Sequence, residues 1–363
     1  MIETSEKNSV VSNGPVLGQF DGHEKLVFCN DDETGLKAII GVHNTVLGPS
    51  LGGTRMWAYE NEVDAITDVL RLSRGMTYKN SLAGLNLGGG KAVIIGDSRT
   101  LKTPALMRKF GEFVNRLSGT YITAEDVGMT TQDMVYIKEN TDNVAGLPVE
   151  MGGSGDPSPV TALGVYMGMK ASAKCAWGND SLNGKKVLVQ GAGNVGQYLI
   201  DHLIKEGANV LVSDIFEDKL TQVTSKHVGV TVINAEDVYS TQMDVYAPCA
   251  LGATLNDQTL ESLRCQIVAG AANNQLQNEK IHGRKIIEKG ILYAPDFLIN
   301  SGGVINCYRE VAGLDENWSI AKTEDIYNTT LNIFKVSTEK NIPTFEAANI
   351  LAEERIEKEK NKN

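Results

Sequence analysis

The stretch Lys185–Asp214, KKVLVQGAGNVGQYLIDHLIKEGANVLVSD, decides how this 363-residue chain is read. An apolar run, Val187–Val189, leads into Gly191-Ala-Gly193-Asn-Val-Gly196. A helix-spaced stripe of Val195, Leu199, Leu203 and Ile204 follows. A second apolar run then ends at Asp214, 23 residues after Gly191. Strand, GxGxxG turn, helix, strand and acid together form a dinucleotide fingerprint, whereas the glycines alone would be a weak signal. Gly191 permits the tight turn, Gly193 lets a pyrophosphate approach the backbone, and Gly196 lets helix and strand pack closely. The first helical residues, Asn194 and Val195, offer free amides to the anion. An acid at 214 can bind both ribose hydroxyls and would repel a 2′-phosphate, and no arginine follows it immediately. NAD is therefore expected over NADP.

Downstream, MDVYAPC, CQIVAGA and GILYAP read as further strands with helical material between them, the rhythm of a doubly wound parallel sheet. From about residue 323 the chain turns to amphipathic helix and closes on the charged tail EERIEKEKNKN. Upstream, GLPVEMGGSGDPSPVTALG over 146–164 suits a boundary or hinge. Before it, LKAIIGVHN and KAVIIGD read as strands and YITAEDVG as a short strand running into a loop. Helices are expected over EVDAITDVLRLSRGM, with Val63, Ile66, Val69 and Leu70 on one face, and from Thr103 onward. The second is opened by Pro104, carries Leu106, Phe110, Phe113, Val114 and Leu117, and ends near Gly119. The expected architecture is α/β in two domains with a cleft between them. Residues 1–145 form an α/β substrate-binding and oligomerisation domain, to which helices from about 335 to 363 return. Residues 146–334 form the Rossmann-type NAD-binding domain.

Composition narrows the function classes. The chain is 42% apolar and 22% charged, which is globular. Its net charge of −11 disfavours nucleic acid and anionic membrane as generic partners. Five scattered cysteines without a CxxC and five histidines without HExxH spacing give no disulfide framework and no metal site. The segment MIETSEKNSV lacks the features of a secretory signal, and no apolar run reaches the length of a membrane span, so a cytoplasmic protein is expected.

A second glycine-rich stretch, Leu85–Ile95, reads LNLGGGKAVII. It is not a phosphate loop, because Ala92 rather than Ser or Thr follows Lys91 and the earlier glycine is out of register. Glycines 88–90 instead leave room for a ligand or another backbone. Lys91, between them and an apolar strand, is a candidate buried lysine. Burial disfavours the charged form, so such a lysine can act as a base. Lys79, in GMTYKN, and Asp126, in TAEDVG, are the other charged candidates. For Lys79 an ordinary surface position is equally consistent with the sequence. Two cations and a carboxylate beside a hydride acceptor suit a substrate that has a carboxylate and an oxidisable neighbouring centre.

The motifs LGGTRMW, GMTYKN, GLNLGGGKAVI, YITAEDVG, GDPSPVTALGVY, GAGNVG, APCALG, GAANNQL and INSGGVIN occur in that order between about residues 47 and 307. In this the chain resembles the amino-acid dehydrogenase superfamily, and within it most closely the leucine dehydrogenases. The resemblance implies that Lys79 binds the substrate α-carboxylate. Lys91 would be the catalytic lysine that polarises the keto-acid carbonyl and activates water, and Asp126 would exchange protons with the amino group and that water. Asn273 would lie near both substrate and nicotinamide, and Thr161, Cys249, Ala250 and Asn300 would contact the cofactor. The implied reaction is reversible: L-amino acid, NAD and water give 2-keto acid, ammonium and NADH. Glutamate-specific relatives carry a lysine where this chain has Leu51, just before Gly52 and Gly53 of the substrate site. A glutamate side chain would stay unpaired against leucine, whereas an aliphatic one would gain by desolvation. Ala124 and Val304 would complete the apolar pocket, with Cys307 in place of the usual valine acting as a small hydrophobe. The expected substrates are leucine, isoleucine and valine. Valine or phenylalanine dehydrogenase is the close alternative, and an NAD-binding regulator without chemistry is the distant one. A homo-octamer is implied by the resemblance alone.

Overall fold

The computed structural model describes residues 16–362, which divide into two compact units. Unit 1 takes residues up to Thr77 together with Asn86–Gly153, and unit 2 takes Tyr78–Leu85 and everything from Ser154.

Unit 1 contains β1 (Lys25–Asp31), β2 (Leu36–Asn44), β3 (Ser50–Trp57), most of α1 (Glu62–Leu82), β4 (Gly88–Ile95), α2 (Pro104–Asn115), β5 (Tyr121–Glu125) and α3 (Thr131–Lys138). Its five strands lie in the order β1-β2-β4-β3-β5. β3, β4 and β5 run parallel, while β1 and β2 are antiparallel to their neighbours. Side chains alternate across a strand, and the two faces feed two cores. Ile39 and Val93 pack with Ile66, Val69 and Leu70 of α1, whereas Ile40, Ala92 and Ile94 pack with Leu106, Phe110 and Val114 of α2. Both faces of β2 and β4 are therefore covered, which explains their unbroken apolar runs. Val63, expected on the buried stripe of α1, is 40% exposed, because it lies in the first turn, before the helix meets the sheet. Thr103 caps α2 by accepting from the amide of Leu106, with Pro104 in the first turn.

Unit 2 continues with α4 (Ser158–Trp177), β6 (Lys186–Gln190), α5 (Asn194–Glu206), β7 (Asn209–Ser213), α6 (Glu217–Lys226), β8 (Thr231–Val232), β9 (Val245–Pro248), α7 (Asp257–Ser262), β10 (Ile267–Val268), α8 (Glu279–Glu288), β11 (Leu292–Tyr293) and α9 (Asp296–Ile299). Four helices follow: α10 (Gly302–Val311), α11 (Glu316–Glu324), α12 (Ile326–Lys340) and α13 (Thr344–Lys360). The sheet is wholly parallel in the order β11-β10-β9-β6-β7-β8. Chain order reverses between β6 and β9, the switch point at which doubly wound sheets take ligands. The last turn of α1 groups with this unit through α13. Ser81 Oγ donates to the Ala352 carbonyl at 2.8 Å, and Arg355 donates to the carbonyls of Ser81 and Leu85 at 3.1 and 2.8 Å. Arg355 thereby ties α13 to the last turn of α1 and to the turn that follows it.

Candidate active site

The glycine triplet lies inside β4, not in a loop before it. A Cβ on Gly88 would come within 1.9 Å of the Asn44 carbonyl oxygen. On Gly89 it would meet the backbone amide of Thr77 in α1 at 2.2 Å, and on Gly90 the Tyr121 ring at 2.7 Å. The space beside the triplet, which the sequence left open to a ligand or another backbone, is taken by protein. These glycines let neighbouring strands and α1 approach closely. Gly52 and Gly53 play the same part in β3, where added Cβ atoms would lie 1.7 Å from the Gly90 carbonyl oxygen and 2.5 Å from that of Glu125.

This packing sets Lys91. By alternation it shares with Gly89 and Val93 the face of β4 that α1 covers. It is 6% exposed, and its Nζ lies 2.5 Å from Oδ2 of Asp126, the residue after β5. Burial pushes the Asp126 carboxyl up, but the charges of Lys91 and Arg55 and the Val127 amide more than offset this and hold it below the usual range. Asp126 is therefore an ionised carboxylate held in an ion pair with Lys91. Leu51 and Ala124 belong to the same parallel strands, at 2% and 5% exposure.

Sequence reading missed the far side of this pair. Arg55 Nε donates to the same Asp126 Oδ2 at 3.3 Å, and its Nη1 donates to Asp68 Oδ2 of α1 at 2.9 Å. Tyr59 donates to that Asp68 oxygen at 2.7 Å. Arg55 lay within the LGGTRMW motif, but a neighbour of Asp126 is visible only once β3 and β5 are paired.

In unit 2, Gly191 has φ of 111°, and its Cβ would lie 2.9 Å from the Ala250 amide, so both backbone sign and space demand glycine. A Cβ on Gly196 would lie 2.0 Å from the Gly191 carbonyl oxygen, as the close helix–strand contact requires. Gly193 differs: nothing lies within 4 Å of its Cβ position. It precedes α5 without any side-chain cap, and Gly193 and Asn194 are exposed while Val195 is half-buried. An uncapped helix start with open space before it fits the pyrophosphate of a dinucleotide. Asp214 follows β7 as expected, and in the fold its carboxylate also holds the glycine loop. Its Oδ2 accepts from the Ala192 amide at 2.6 Å and its Oδ1 from the Phe216 amide at 2.9 Å, which pins the glycine loop.

At the other side of the switch point, Cys249 is half-buried and Ala250 exposed, just beyond β9. Asn300 donates to the Ala271 carbonyl at 3.0 Å and to Asn273 Oδ1 at 2.7 Å. Its own Oδ1 is buried without a hydrogen-bond partner, the kind of atom a ligand amide would satisfy. Lys79 Nζ lies 3.5 Å from the same Asn273 Oδ1. Asp296 was not foreseen. Burial pushes its carboxyl above the usual range, although the Gln275 amide at 2.8 Å and the charge of Lys79 pull it back. Gly302, at the start of α10, lets that helix approach the start of α4, where Thr161 is half-buried. Val304 is buried and Cys307, one turn along α10, is half-buried. Among the described residues no cluster suits a metal ion, and no helix is long and apolar enough to cross a membrane.

A doubly wound unit with an open, uncapped glycine turn, in a chain that also carries a buried lysine–carboxylate pair, defines a class: the nicotinamide-dependent dehydrogenases. Comparison with known proteins sharpens this. Residues 23–143 match the family described as "Glu/Leu/Phe/Val dehydrogenase, dimerisation domain", and 152–216 and 212–363 match "Glutamate/Leucine/Phenylalanine/Valine dehydrogenase". The chain is 54% identical over 336 residues to leucine dehydrogenase of Bacillus subtilis (strain 168), covering 93% of this chain and 92% of that one. It is 44% identical over 367 residues to phenylalanine dehydrogenase of Lysinibacillus sphaericus, covering 100% and 96%. The structure of L-tryptophan dehydrogenase from Nostoc punctiforme superposes with a TM-score of 0.84 at 44% identity, over 95% of this chain and 98% of that one. The chain belongs to the Glu/Leu/Phe/Val dehydrogenase family.

Proposed function

We propose that the protein catalyses the reversible, NAD-dependent oxidative deamination of branched-chain L-amino acids, leucine foremost, to 2-keto acids and ammonium. The observation that carries this reading is the buried Lys91–Asp126 pair in a chain with an NAD-type glycine turn. Bound NAD would accept the hydride from the substrate α-carbon. Gly193, Asn194 and Val195 would hold its pyrophosphate, Gly191 and Gly196 would shape that turn, and Asp214 would hold the ribose. Thr161, Cys249, Ala250, Asn273 and Asn300 would contact the remainder. Lys79 binds the substrate carboxylate. Lys91 donates to the oxygen that becomes the keto group, and in the deaminating direction takes a proton from the water that attacks the imine. Asp126 exchanges protons with the departing amine. Leu51 and Ala124 in unit 1, and Val304 and Cys307 in unit 2, would each favour an aliphatic substrate side chain, since burying a methylene is worth about 0.8 kcal/mol.

The test is NADH formation from NAD with L-leucine, L-valine, L-phenylalanine and L-glutamate. Branched-chain substrates should lead, with overlap among them because a methylene is worth only about 1–3 kcal/mol in such a pocket. A preference for glutamate would overturn the role of Leu51, and no NADH with any of the four would overturn the activity. A cytoplasmic setting is the expected one, and five cysteines, none of them in a disulfide, suit a reducing compartment. Assembly as a homo-octamer is supported by resemblance, and light scattering on the purified chain tests it.

A further inference from the structure

Oδ2 of Asp126 receives two cations. Lys91 Nζ lies 2.5 Å from it and Arg55 Nε 3.3 Å. Without the charge of Lys91, Asp126 would be a shielded carboxylate that has lost one of its counter-charges. Arg55 changes that balance. A guanidinium does not deprotonate in a protein, so it still offsets Asp126 after Lys91 becomes neutral. While Lys91 is charged, the two cations repel each other across the shared oxygen. Both effects favour the neutral lysine.

We propose that Arg55 is a positioning residue for the Lys91–Asp126 pair, sharing the Asp126 oxygen with Lys91 and lowering the pH at which the pair gives up its proton. This rests on the reaction proposed above. Asp68 tunes the effect. It anchors Arg55 at 2.9 Å and is 13% exposed, and its negative charge offsets part of the guanidinium's field at Asp126. The other groups facing this network are Tyr59, which donates to Asp68, and Arg71, which reaches Asp68 Oδ1 at 3.3 Å from a 60% exposed position. Tyr121, buried beneath Gly52, donates to that glycine's carbonyl and stays neutral, because burial pushes its phenol well above the usual range.

Signs separate this role from a purely structural one. Removing a positive charge raises the pH at which neighbouring groups lose protons, and removing a negative charge lowers it. The experiment measures kcat/KM for L-leucine at saturating NAD across pH, with melting temperatures, for the wild type, Arg55→Met, Arg55→Lys and Asp68→Asn. The acid limb should move up by about one pH unit in Arg55→Met and move down in Asp68→Asn. Arg55→Lys should recover part of the first displacement. An acid limb unmoved in both charge-removing variants, or moved in the same direction by both, overturns the proposal. Should Arg55→Met fail to fold, Asp68→Asn decides, since an unmoved or raised limb there is equally fatal. A wild type that forms no NADH removes the proposed reaction and this role together. An active wild type with immovable limbs removes only the role of Arg55.

Discussion

Replacing Gly193 by alanine should separate folding from cofactor binding. Gly193 has φ −69° and ψ −172°, extended backbone open to any residue, and its Cβ would meet no atom within 4 Å. Two small effects on stability oppose each other. Alanine restricts the unfolded chain, a gain of about 0.4–1 kcal/mol. It is also a poorer helix N-cap than glycine, at a cost on the order of 0.5–1 kcal/mol. The net change should lie within about 1 kcal/mol, or roughly 2–4 °C in melting temperature for a unit of this size. The added methyl would occupy the open space at the start of α5, where the pyrophosphate must reach backbone amides. Loss or lengthening of one charge-assisted hydrogen bond costs about 2 kcal/mol, or roughly 30-fold in Kd for NADH. Fluorescence titration with NADH, paired with a melting curve, reads both quantities. An unchanged Kd would refute the placement of the pyrophosphate at Gly193, and a large fall in melting temperature would refute its freedom from packing.

Gly52→Ala is the converse case. Its Cβ would lie 1.7 Å from a backbone oxygen of β4, so urea denaturation should show a loss of about 3 kcal/mol or more, and an unchanged midpoint would contradict the strand packing. Leu51→Lys places a cation at a position 2% exposed. It should lower kcat/KM for leucine by about 2 kcal/mol, roughly 30-fold, and raise that for glutamate; unchanged leucine kinetics would remove Leu51 from the pocket. His43 is neutral in the fold, because burial lowers its pKa from 6.5 to about 4 while Nε2 donates to the Asp21 carbonyl and Nδ1 accepts from the Thr77 hydroxyl. The unfolded chain binds the extra proton below pH 6.5, so the stabilisation is present above that pH and is lost as the pH falls towards 4, by up to about 3 kcal/mol. Denaturant midpoints of His43→Asn should fall less than those of the wild type between pH 7 and 4, and parallel curves would contradict this.

The Rossmann unit was legible because its signals are local: an apolar run, a glycine turn, a helical stripe and an acid occupy thirty consecutive residues. Unit 1 was harder. β1 and β3 were not read as strands: β1 is a largely exposed edge strand, and β3 carries two glycines that weaken a strand by propensity. Those glycines belong to the strand because its neighbours approach where side chains would stand. The sequence singled out Lys91 and Asp126 one at a time, but their 2.5 Å contact depends on the pairing of β3 with β4 and β5, which the sequence does not specify. The same non-local pairing hid Arg55. For Asp214 the sequence suggested its task towards a ribose, and the fold added a second, the pinning of the glycine loop.

Lys91→Ala, assayed for L-leucine turnover and for NADH binding in the same preparation, bears on the whole account. Removal of a group that relays protons to and from the reacting oxygen should lower kcat by about 100- to 10,000-fold. The Kd for NADH should stay near that of the wild type. Turnover close to wild type would contradict the assignment of the chemistry to the Lys91–Asp126 pair.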